Sequence, residues 1–171
     1  MAGMTPPSGP PTPAPASFQP SAAPVPTPLD LCLALGQAQA ALAKRFDRGL
    51  SGGHGLSYGD FVLLTHLGRA PGGRLRRIDL ATAVGMTASG VTRALGPLER
   101  IGLVEREANP RDARVAFASL TDAGRAVLAD AHSTATRVAE SVVTDAGWTP
   151  ADVAQLALLL SFAPIGVPPS Y

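Results

Sequence analysis

Two groups of residues in this 171-residue chain have the types and spacing for chemistry with an anion. Thr87, Ser89, Gly90, Thr92 and Arg93 cluster at the predicted start of a helix. Small hydroxyl side chains, unpaired backbone N–H groups and the positive end of the helix dipole favour phosphates and base edges there. Arg93 is long enough to set its two-pronged guanidinium on a guanine. Arg111, Asp112 and Arg114 form the second group, in and beside a predicted hairpin loop. An arginine at a hairpin tip suits the negative potential of a narrow minor groove, and Asp112 would hold one guanidinium in a fixed direction.

Such groups need elements to aim them. Ile78, Leu80, Ala81 and Val84 give one apolar face at helical spacing, and Val91, Leu95, Leu98 and Ile101 repeat it on a second helix. Between them lies the turn Val84-Gly85-Met86-Thr87, where Gly85 accepts the positive φ of a tight interhelical turn and Thr87 is the predicted N-cap. Ala81 is small where the two helices cross. Gly96-Pro97 predicts a bend within the second helix. Residues 103–107 and 114–120 then read as two strands, with Val115, Phe117 and Ser119 alternating against Arg114, Ala116 and Ala118. The whole is a helix-turn-helix followed by a two-stranded wing, a pair that presents its second helix to the major groove of DNA.

Flanking segments complete a mainly α fold with a small β-wing. Residues 1–28 hold ten of the seventeen prolines and are expected to be a disordered tail. Leu31, Leu35, Ala38, Leu42 and Phe46 mark a first helix, expected to end near the glycines at 49, 52, 53 and 55. Ser57 and Asp60 form a capping-box-like start for the next helix, which carries Phe61, Leu64 and Leu67, and Leu75 sits in a short extended segment. A long helix opens at Thr121 and carries Val127, Ala131, Val138 and Val142. Thr149-Pro150-Ala151-Asp152 starts a last helix that is apolar most of the way round. A helix of that kind should not face water, and a second copy of the chain is its expected cover. The expected division is a tail (1–28) and one winged-helix domain (29–166), with its DNA-binding module at about 72–120 and dimerisation helices at about 29–50 and 121–163.

Totals narrow the function. Net charge is +1, but residues 74–114 hold eight arginines against five acids, while residues 115–171 hold two against five. A basic module on an acidic remainder fits a polyanion on one face. His54, His66 and His132 are scattered, and no phosphate-binding glycine loop or nucleophile elbow occurs. Neither an enzyme nor a bound metal or cofactor is expected. The single cysteine, Cys32, excludes a disulfide framework within the chain. No run is apolar enough to span a bilayer and no signal peptide is read, so the protein is expected in the cytoplasm without membrane association.

The run from Leu98 to Arg106, the wing Asn109-Pro110-Arg111-Asp112-Ala113-Arg114 and Leu120-Thr121-Asp122-Ala123-Gly124-Arg125 together resemble the MarR family of bacterial transcriptional regulators. The resemblance extends over about residues 29–162. It implies a homodimer with interleaved first and last helices, which reads a pseudo-palindromic double-stranded DNA operator through two recognition helices and two wings. By it, Arg114 is the wing arginine and Asp112 its orienting partner. It also implies a repressor released by a small, often aromatic effector, for which Phe46, Tyr58 and His66 are the pocket candidates. Cys32 resembles in its surroundings the cysteine of the peroxide-sensing branch, but no tyrosine stands in its helix. Packing as a buried small residue is its default role and a thiol switch the alternative. A second alternative is a winged-helix module that binds another protein rather than DNA.

Overall fold

The computed structural model describes residues 25–109 and 112–162, with side-chain surroundings defined outside 108–115 and 162. Six α-helices, a short 3-10 turn (Pro71–Gly73) after α2 and three strands make up these residues, in the order α1 (Pro28–His54), α2 (Tyr58–Arg69), β1 (Arg74–Arg76), α3 (Arg77–Ala83), α4 (Ala88–Arg100), β2 (Val104–Asn109), β3 (Asp112–Leu120), α5 (Asp122–Asp145) and α6 (Pro150–Phe162). Local chemistry sets their ends. Thr27 and Ser57 close reciprocal capping boxes with Asp30 and Asp60, in which each hydroxyl accepts a backbone N–H and each carboxylate accepts one in return. Thr149 and Asp152 make the same exchange ahead of α6. α1 does not stop at Gly49, Gly52 or Gly53. It runs on to His54 and ends where Gly55 turns left-handed at φ 64°.

Leucines from five elements form the core. Leu50, Leu56, Leu64, Leu67, Leu80, Val91, Leu95 and Leu98 are fully enclosed, joined by Val104, Ala118 and Leu120 of the sheet and Ala131 and Ala135 of α5. Helical spacing overstated this face at two positions. Ile78 and Ile101 lie well exposed, because the positions that α3 and α4 turn inward are already filled by Leu80, Ala81, Val91, Leu95 and Leu98. α4 also runs through Pro97 as one helix.

The wing is a three-stranded antiparallel sheet in the order β1-β3-β2, not a two-stranded hairpin. Leu75 pairs with Ala118, so the extended segment before α3 becomes an edge strand of the wing. Burial does not alternate along the inner end of β3: Ala116 and Phe117 are both half-buried and Ala118, Ser119 and Leu120 are all buried, with Ala118 and Leu120 in the core rather than Phe117. On the other face the Ser119 hydroxyl donates to Glu107 at 2.6 Å, Arg74 donates to the same carboxylate at 3.1 Å, and the Arg74 guanidinium lies 5.4 Å from the Phe117 ring centre. These contacts tie all three strands together at the base of the wing. They also hold the Glu107 carboxyl below its usual range, the Ser119 hydrogen bond first and the Arg74 hydrogen bond second.

α1 packs against α5 along polar as well as apolar contacts. His54 sits between Asp130 (3.2 Å) and the Thr134 hydroxyl (3.0 Å), and Arg45 pairs with Asp145 near Ser141. α6 and the first half of α1 remain open to solvent in the single chain. Leu29, Leu31, Leu33, Leu158 and Leu159 are each more than half exposed.

Candidate nucleic-acid interface

The arrangement that presents α4 starts at Gly85. Its φ of 67° reverses the chain after α3, and the Met86 N–H donates to the Ala81 carbonyl at 2.9 Å, closing the turn on a small buried residue. Thr87 then caps α4, its hydroxyl accepting the Gly90 N–H at 3.1 Å. A Cβ at Gly90 would come 3.1 Å from that hydroxyl and 3.3 Å from the Met86 methyl, so a larger residue there would ask both side chains to shift by a few tenths of an ångström. Val91, Leu95 and Leu98 bury the inner side of the helix, which leaves Ala88, Ser89, Thr92 and Arg93 facing out. Ser89 stands 3.2 Å from the Thr87 hydroxyl, and Thr92 donates to the Ala88 carbonyl at 2.9 Å while its lone pairs stay open to solvent. The five residues of the first group are thus brought together on one exposed helix end.

Arg111 lies outside the described residues, and so do the side chains of Asp112 and Arg114. The backbone of the latter two belongs to β3, where Asp112 opposes Asn109 across an irregular pairing at the strand's outer end.

Spacing within single elements did not single out the arginines that flank α4. Arg76, Arg77 and Arg106 line an open cleft of about 440 Å³ with Ile78, Ala88, Thr92 and Ala116, between the start of α3, the start of α4 and the wing. Arg76 is gripped by Asp79 through two parallel hydrogen bonds of 2.6 and 3.0 Å, which raise its pKa further. That grip fixes one edge of an exposed guanidinium and leaves the rest turned outward. The signal readable in sequence was an acid three residues after an arginine at a helix start. Arg77, on the wall of the same cleft, pairs with Glu99 of α4 and is largely buried.

Of the pocket candidates, Phe46 and Tyr58 meet, with ring centres 4.8 Å apart, and the Tyr58 N–H donates to Asp47 at 2.6 Å. His66 lies two turns further along α2, and burial, then the neighbouring Arg69 charge, lower its pKa. It therefore favours the neutral ring near neutral pH. Cys32 is exposed, so the expected burial is not met. Its position early in α1, beyond the part of that helix that packs on the core, explains this. Among the described residues, no three His, Cys, Asp or Glu side chains gather to hold a metal, and no helix is long and apolar enough to cross a membrane.

A helix-turn-helix with an outward helix end, backed by a three-stranded wing and edged with arginines, defines the winged-helix class of nucleic-acid-binding domains. A family model described as MarR family matches residues 54–115. A MarR family transcriptional regulator from Streptomyces coelicolor, crystallised in complex with DNA, is 30% identical, with a TM-score of 0.71 over 85% of this chain and 96% of that one. AbsC, another MarR family regulator from the same organism, is 25% identical with a TM-score of 0.67, covering 81% and 93% of the two chains. The Mycobacterium tuberculosis regulator MOSR, also solved with DNA, is 29% identical with a TM-score of 0.63, covering 75% and 91%. No curated protein sequence matches the chain. The chain belongs to the MarR family, whose members are transcriptional regulators and not enzymes.

Proposed function

We propose that this protein is a homodimeric transcriptional regulator that places residues 87–93 of α4 in the major groove of a pseudo-palindromic operator and its wing residues Arg111, Asp112 and Arg114 at the adjoining minor groove. The observation that carries this reading is the exposed, Thr87-capped end of α4 standing over a cleft edged by Arg76 and Arg106. In this reading those two guanidiniums take backbone phosphates while Ser89, Thr92 and Arg93 meet base edges. The exposed leucines of α6 and early α1 support pairing with a second copy, since so much apolar surface favours burial.

In this reading the protein represses, and a small aromatic effector releases it. The effector would lodge near Phe46, Tyr58 and His66, where α1 meets α2. There it would favour a dimer whose recognition helices no longer match half-sites about 34 Å apart. Binding to the DNA upstream of its own gene, measured as salt is raised, tests the DNA assignment. The logarithm of affinity should fall linearly with the logarithm of salt, by about 0.9 for each phosphate neutralised. Arg76→Ala and Arg114→Ala should each weaken binding and reduce that slope by about one without unfolding the protein. Affinity that is indifferent to salt, or a slope unchanged in both variants, would take the arginines out of the interface.

A further inference from the structure

We infer that Arg77 and Glu99 form a positioning clamp that sets the angle of α4 against α3, an inference resting on the DNA-reading function above. α3 has seven residues and buries only Leu80 and Ala81. Apolar contact is non-directional, so two such side chains resist rotation and sliding weakly. A guanidinium on a carboxylate is directional, because planar groups must align for their hydrogen bonds. Arg77 stands at the first position of α3 and Glu99 in the last turn of α4, so the pair joins the helices at the end opposite the Gly85 turn.

The surroundings of the pair separate it from an ordinary surface contact. Arg77 is 12% exposed and Glu99 29%, against 55% and 36% for the Arg74–Glu107 pair of the wing. The Arg77 Nε is buried with no hydrogen-bond partner. An apolar pair of similar volume would fill this place without an unmet N–H, so stability alone does not favour an arginine there. What the ion pair adds is fixed geometry. The adjacent Arg76 pairs instead with Asp79 of α3 and stays 52% exposed. Two consecutive arginines thus divide the work, one reaching for phosphate and one aiming the helix that reads bases.

The test uses the full chain and a duplex that the native protein selects from a random-sequence pool, with an unrelated duplex alongside. Affinity is measured over a range of salt, and thermal unfolding is recorded for Arg77→Met, Glu99→Gln and the double variant Arg77→Met/Glu99→Leu. Each single variant should lose about tenfold or more in affinity for the selected duplex, with its salt slope and its binding to the unrelated duplex unchanged. The double variant should recover the thermal midpoint while its specific affinity stays low. Recovery of affinity together with the midpoint would reduce the pair to a structural role and overturn the inference. A slope lowered by about one in Arg77→Met would instead put Arg77 on a phosphate, and unchanged affinity in both single variants would remove the clamp. Failure of the native protein to select any duplex would end the DNA-reading function and the clamp's purpose with it, before any variant is made.

Discussion

Gly124→Ala should destabilise this protein by about 3 kcal/mol or more, lowering the thermal midpoint by on the order of 10 °C at fixed protein concentration. Gly124 lies in the first turn of α5, where a Cβ would sit 2.0 Å from the Leu103 carbonyl oxygen and 2.9 Å from its carbon. That carbonyl has nowhere to retreat. It accepts the Thr121 N–H at 3.2 Å, while the Thr121 hydroxyl donates to the Gly102 carbonyl at 2.7 Å and accepts the Gly124 N–H at 3.0 Å. A methyl group would have to part α5 from the start of β2 and break this set of bonds together. Gly96→Ala is the control: it lies in α4 with nothing within 4 Å of its Cβ direction. It should be neutral or slightly stabilising, since alanine is the better helix former. A Gly124→Ala protein within about 0.5 kcal/mol of the native one would show that the α5–β2 junction yields where the packing says it cannot.

Leu159→Asp should give a monomer at micromolar concentrations and cost at least about 100-fold in affinity for a two-half-site operator. Leu156, Leu158, Leu159 and Leu160 of α6 all show substantial apolar surface, and Leu159 is 61% exposed within one subunit. If a second copy covers this surface, a carboxylate at its centre is stripped of water with no cation to pair with, which association cannot offset. Two recognition helices held by one dimer bind as a linked pair, so separating them removes the gain from linkage as well as half the contacts. Sedimentation or light scattering reads the mass, and operator binding reads the consequence. A dimer that persists with unchanged affinity would move the interface away from α6.

The local signals in the sequence carried the site further than the packing around it. Gly85, Thr87 and the capping pairs at Ser57 and Thr149 act through neighbours within four residues, so residue type and spacing are enough to place them. Strand β1 was hidden as part of the wing because three residues are too few for periodicity, and its partner Ala118 lies over forty positions away. The Arg77–Glu99 and Arg74–Glu107 pairs are invisible for the same reason, each being made by topology. Ile78 and Ile101 fit the helical stripe by type, yet a stripe records what a side chain is and not whether room remains for it inside. Leu31 and Cys32 reverse the case, being apolar or small but left outside because early α1 extends beyond the core.

Selection of binding sites from a random pool of duplexes tests the central claim most directly, that the outward end of α4 reads bases in a two-fold dimer. The account predicts an enriched site with two inverted half-sites about ten base pairs apart, centre to centre. It further predicts that Arg93→Ala relaxes one position in each half by about 1–3 kcal/mol while the other positions keep their preference. An enriched site without two-fold symmetry, or an Arg93→Ala protein with every base preference intact, would contradict it.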